Sequence, residues 1–89
     1  MKKSVSIQVY GRVQGVAFRY STRAKALSLG IKGFVKNMRD GSVYIEAVGD
    51  EEDMQAFVEW CNQGPPAARV VNIQVEDIDV VDADTFLIK

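Results

Sequence analysis

Strict alternation of apolar and polar residues opens the chain. Val5, Ile7 and Val9 alternate with Ser4, Ser6, Gln8 and Tyr10, the pattern of a strand with one buried face. Residues 11–18 break it and read as a loop. From about Arg19 the period changes: Tyr20, Ala24 and Leu27 recur at helical spacing, flanked by Ala26 and Leu29. Gly30 stands where a glycine ends a helix. Residues 31–37 predict a second strand, and Asp40-Gly41 within 38–42 is a hairpin signal. Val43, Ile45 and Ala47 then alternate with Tyr44 and Glu46 in a third strand.

Gly49 and Asp50 stop that strand and start a second helix. Asp50 fits an N-cap, and Glu51, Glu52 and Asp53 suit the positive helix end. Met54, Phe57, Val58 and Cys61 form one apolar stripe at i, i+3, i+4 and i+7, with Trp60 at its edge. Gly64-Pro65-Pro66 ends the helix. Val71, Ile73 and Val75 alternate with Asn72, Gln74 and Glu76 as a fourth strand. Residues 77–84 are acidic and irregular, and 85–88 predict a short final strand.

The order is β-α-β-β-α-β plus a terminal strand. It predicts an α+β, ferredoxin-like sandwich, with two helices on one face of an antiparallel sheet. Crossover handedness carries the first and third strands to the middle. A chain of 89 residues supports one domain, 1–89, with a single core. This topology serves many activities, so function must come from a site.

Charge and composition narrow the classes. A net charge of −1 gives no general attraction for nucleic acid or anionic membranes. No apolar run is long enough to span a membrane, and the amino end does not read as a signal. One cysteine cannot form an internal disulfide, which fits a reducing cytoplasm. Its stripe neighbours mark Cys61 as core rather than nucleophile. The chain has no histidine, which excludes phosphohistidine intermediates, Ser-His and Cys-His pairs and histidine-bearing zinc sites.

The stretch with chemistry is 11–20, Gly-Arg-Val-Gln-Gly-Val-Ala-Phe-Arg-Tyr, at a strand-to-helix turn. Gly11 and Gly15 permit turns that a Cβ forbids. A helix start presents unpaired N–H groups and the positive dipole end to an anion. Arg19 adds a planar fork of donors matched to phosphate or carboxylate oxygens. Read alone, the stretch is either such a cradle or a glycine-containing loop with a solvated arginine. Likewise Asn37 alone can end a strand before a turn, and Lys36 and Arg39 read as solvated surface cations.

Gly11-Arg-Val-Gln-Gly-Val-Ala-Phe-Arg19 resembles the signature of the acylphosphatases. So does Gly33-Phe-Val-Lys-Asn37 followed by Asp40-Gly41-Ser42-Val43, and the likeness runs on through Gly49, Gly64-Pro65 and Ala68-Arg69-Val70. Phe34 and Lys36 depart from the tryptophan and arginine common at those places in the family. The resemblance implies the βαββαβ fold and hydrolysis of the carboxyl–phosphate bond of small acyl phosphates. It implies Arg19 and Asn37 as the catalytic pair. It implies phosphate binding by Gly11, Gln14, Gly15, Val16, Ala17, Phe18 and Arg19. The expected partner is a small acyl phosphate, with inorganic phosphate or sulfate as competing anions. No cofactor, metal, nucleic acid or membrane is expected, and the chain is expected to be a monomer.

The alternative is a non-enzymatic βαββαβ module binding RNA or a small ligand. Tyr10, Phe34 and Tyr44 would line the open sheet face of such a module. The third strand, Ser-Val-Tyr-Ile-Glu-Ala-Val over 42–48, lacks the basic aromatic signature of an RNA binder.

Overall fold

Seven elements follow the alternation and spacing: β1 (Lys2–Arg12), α1 (Phe18–Ser28), β2 (Lys32–Asn37), β3 (Val43–Asp50), α2 (Glu51–Gln63), β4 (Arg69–Asp77) and β5 (Phe86–Ile88). The computed structural model describes residues 1–80 and 82–89, so the expected irregular stretch 77–84 lies partly outside the described residues. The sheet order is β4-β1-β3-β2-β5, with β1 and β3 central. β1 pairs antiparallel with β3 and β4, and β2 antiparallel with β3. The terminal strand corrects the all-antiparallel expectation: β5 lies parallel to β2, matching Phe86 to Gly33 and Ile88 to Val35.

α1 packs on β2 and β5, and α2 on β1, β3 and β4. Between helices and sheet lie Val5, Ile7, Val9, Val35, Val43, Ile45, Met54, Phe57, Cys61 and Phe86, all buried. Phe57 meets Phe86 edge-on at 6.0 Å, joining α2 to the edge of the sheet. Cys61 belongs to this core, and burial raises its thiol pKa well above the ordinary value. We expect the native thiol to resist aromatic disulfide reagents and to react at once in denaturant. Rapid modification of the native protein would contradict that placement.

The phase of α1 differs from the spacing argument. Its buried residues are Phe18, Thr22 and Ala26, while Tyr20 and Leu27 are 69% and 46% exposed and Ala24 is exposed. The helix begins at Phe18, whose ring packs 5.7 Å from Trp60 and sets the inward face. Thr22 tolerates burial because its hydroxyl donates to the Phe18 carbonyl at 2.7 Å. The helix ends as expected: Gly30 has φ 69°, and the Gly30 and Ile31 N–H groups donate to Leu27 and Ala26 carbonyls.

Two further boundaries shift. β1 continues through Gly11 and Arg12, and β3 through Gly49 and Asp50, because their neighbours extend the pairing. In β4 a bulge opposite Tyr10 and Gly11 brings Val70 rather than Val71 to the core side. Val71 is 73% exposed as a result. Asp50 occupies the N-cap of α2 but makes no side-chain cap bond. Glu51 N–H donates instead to the Met1 carbonyl at 3.0 Å.

Candidate active site

The loop between β1 and α1 makes two left-handed turns, at Gly15 (φ 74°) and at Ala17 (φ 61°, ψ 26°). Ala17 carries a real cost there, since a Cβ disfavours this region. The second turn sets Ala17 as the residue from which α1 departs. The first intrahelical bond runs from Ser21 N–H to the Ala17 carbonyl, at 3.0 Å. The N–H groups of Phe18, Arg19 and Tyr20 therefore have no partner one turn back.

Beside these donors lies a cavity of about 190 Å³ lined by Val13, Gly15, Ala17, Phe18, Arg19, Tyr20, Asn37 and Ile88. Among the described residues, Arg19 is the one charged side chain in that lining. The structure thus brings together Arg19 and Asn37, far apart in the chain, with Gly15, Ala17 and Phe18. Gly11, Gln14 and Val16 do not line the cavity. Gly11 (φ 128°) is the penultimate residue of β1, where a Cβ would overlap the Arg69 carbonyl oxygen of β4. Val16 packs against the core. The Gln14 side-chain amide faces the β2–β3 hairpin and donates to the Met38 and Ser42 carbonyls. Val13, Tyr20 and Ile88 are lining residues that the sequence reading missed. Val13 had one local signal, an apolar residue between two polar ones within a loop.

Topology explains how Asn37 arrives. β2 is separated from β1 by β3 in the sheet. The crossover carries α1 over that gap and lays it on β2 and β5. The amino end of α1 consequently stands near the carboxyl end of β2, where Asn37 sits. β5 and the residue after it bond the arginines of α1: Arg19 Nη1 donates to the Lys89 backbone oxygen at 2.9 Å and Arg23 Nε to the Phe86 carbonyl at 3.2 Å. Lys89 N–H in turn bonds the Val35 carbonyl of β2.

The hairpin after Asn37 is tightly bonded. Asp40 Oδ1 accepts from Ser42 Oγ at 2.6 Å and from Ser42 N–H at 2.9 Å. These bonds, the hydroxyl's first, hold the Asp40 carboxyl below its ordinary pKa. A depressed pKa means that this support is present in the carboxylate and is lost as acid protonates it. Gln8 Nε2 adds a bond to Ser42 Oγ at 3.0 Å.

The open sheet face carries Tyr10, Phe34 and Tyr44, all half-buried. Phe34 and Tyr44 contact each other at 6.1 Å. Lys36 Nζ lies 5.8 Å from the Tyr44 ring centre and Lys89 Nζ 4.2 Å from that of Phe34. Lys36 is thus seated over a ring, not simply solvated. Tyr44 donates to Glu46 at 2.7 Å; burial first, then Glu46, pushes its pKa up to about 12. Phe34 and Tyr44 thus have partners within the chain, and nothing on this face favours base stacking. Among the described residues, no group of His, Cys, Asp and Glu is arranged to hold a metal ion, and no helix is long and apolar enough to cross a membrane.

Residues 5–88 match the family model for acylphosphatase. The acylphosphatase of Thermotoga maritima is 51% identical over 87 residues, covering 98% of this chain and 97% of the relative. The structure of an acylphosphatase from Coxiella burnetii superposes with a TM-score of 0.95 at 39% identity, covering 99% of this chain and 93% of that one. The acylphosphatase of Bacillus subtilis gives 0.94 at the same identity, covering 100% and 99%. The matches in sequence and in structure cover almost the whole chain, and the chain belongs to the acylphosphatase family.

Proposed function

We propose that the chain hydrolyses small acyl phosphates, with the phosphoryl group bound at the amino end of α1. The observation that carries this reading is the meeting of Arg19, Asn37 and the unpaired helix N–H groups on one cavity. In this reading Gly15, Val16, Ala17 and Phe18 shape the loop and offer backbone donors, and Arg19 holds two phosphoryl oxygens. Gly11 and Gln14 support the loop from its strand end. Asn37 orients a water in line with the scissile bond through its amide oxygen or nitrogen.

The water oxygen attacks phosphorus. The bond from phosphorus to the acyl oxygen breaks, and its electron pair leaves with the carboxylate. A phosphoryl oxygen takes the water's proton. A carboxylate is a good leaving group, so no strong general acid is needed. The loose transition state spreads negative charge over the equatorial oxygens, where Arg19 and the helix end stabilise it. The positive field thus comes from the protein itself. The site is built within one chain, which suits a monomer, and the buried unpaired Cys61 suits a reducing cytoplasm.

The test is steady-state hydrolysis of acetyl phosphate with and without excess chelator. Turnover should be equal in both. Inorganic phosphate or sulfate should raise KM and leave kcat unchanged, since the cradle recognises the tetrahedral oxyanion. An inactive protein, or phosphate that fails to compete at high concentration, would contradict the assignment.

A further inference from the structure

Gln14 sits between the two halves of the site without lining the cavity. Its side-chain nitrogen donates to the Met38 carbonyl at 2.7 Å and to the Ser42 carbonyl at 2.9 Å. Two facing acceptors also settle which end of the amide is nitrogen. Those carbonyls belong to the turn residues just beyond the ends of β2 and β3, at the neck of the hairpin: Met38 N–H donates to Ser42 O, and Gly41 N–H to Met38 O. Met38 follows Asn37 directly, and Ser42 precedes Val43, the residue paired with Asn37. Ser42 is itself buried and bonded to Gln8 and Asp40. These bonds close the neck, and Gln14 ties it to the loop that carries Gly15 and Ala17.

We propose that Gln14 is a positioning residue for hydrolysis: it sets the distance between Asn37 and the loop that holds the phosphoryl group. This rests on the assignment of Asn37 to water orientation. Among the described residues, the two Gln14 bonds are the side-chain hydrogen bonds that join this loop to the hairpin. A hydrophobic side chain of equal length fills the space but leaves both carbonyls without that donor and the spacing undefined. A water-orienting group tolerates little displacement, whereas anion binding by loop N–H groups and Arg19 does not pass through the hairpin.

The experiment measures kcat, the inhibition constant of inorganic phosphate and thermal unfolding for Gln14→Met, alone and combined with Asn37→Ala. Gln14→Met should lower kcat by about tenfold or more, as misplacement of a catalytic group does, while the phosphate constant stays within about twofold. In the Asn37→Ala background the same change should have little further effect on kcat. Gln14→Glu keeps the shape but aims a carboxylate at two carbonyls. It should be impaired at neutral pH and regain kcat as acid restores a donor, with the sign opposite to a loss of stability in acid. Unchanged kcat, a phosphate constant that rises in step with the fall in kcat, full additivity with Asn37→Ala, or failure of both variants to fold overturns the proposal. An active unmodified protein with a normal Gln14→Met variant overturns this inference alone. An unmodified protein without activity overturns the functional reading as well.

Discussion

Arg19→Ala should lower kcat/KM for acetyl phosphate by on the order of 10³-fold, the scale at which an arginine counts in phosphoryl transfer. Among the described residues, Arg19 is the sole cationic side chain lining the cavity. It stands in the first turn of α1 and lines the same cavity as Phe18 and Tyr20, the residues beside it in that turn. Its pose is set in advance by the Lys89 carbonyl, so little ordering remains on binding. Removing it weakens phosphate itself, and the inhibition constant of inorganic phosphate should rise steeply. Arg19→Lys should recover little, because a point charge lacks the fork. The same bond predicts that stability changes less than activity, as a half-buried arginine bonded to one backbone oxygen contributes modestly. Near-normal phosphate inhibition in Arg19→Ala would place the anion elsewhere.

Asn37→Ala should do the converse. We expect kcat to fall by on the order of 10²-fold, the cost of removing one preorganised hydrogen-bonding group, with phosphate inhibition almost unchanged. Asn37 is exposed at the end of β2, so folding should not depend on its amide. Asn37→Asp sharpens the test, since it keeps the shape and places negative charge beside an incoming anion. It should also be impaired. A faster aspartate variant would mean that a general base belongs at this position, and the water would then be deprotonated rather than merely oriented.

The strands and the hairpin were legible in the sequence because their signals are local. Alternation in β1 and β3, and Asp40-Gly41 between β2 and β3, need no distant partner to be read. The phase of α1 was not legible. Tyr20, Ala24 and Leu27 make as good a stripe on paper as Phe18, Thr22 and Ala26. Only the seat of Phe18 against Trp60 and the internal bond of Thr22 decide between them. The bulge in β4 is a matter of pairing with Gly11, so the alternation of Val71, Ile73 and Val75 pointed Val71 the wrong way.

At the site, Arg19 and Asn37 were readable through their motifs and through the strand-to-helix turn. The way they meet was not. It depends on α1 lying over β2 rather than β1, and on a three-residue β5 whose parallel pairing leaves no periodic trace. Ile88 and Tyr20 reach the cavity for that reason. Ala17 gave no warning of its left-handed backbone, which glycine would have announced. Gln14 was visible as part of the motif, but its two carbonyl partners exist only in the folded hairpin.

In the proposed mechanism water attacks phosphorus, not the acyl carbon, within the cavity of Arg19 and Asn37. The decisive experiment is hydrolysis of acetyl phosphate in water enriched with heavy oxygen, followed by mass spectrometry of both products. Attack at phosphorus puts the label into inorganic phosphate and leaves acetate unlabelled. Label in the acetate would show attack at carbon, and the roles given to Arg19 and Asn37 could not stand.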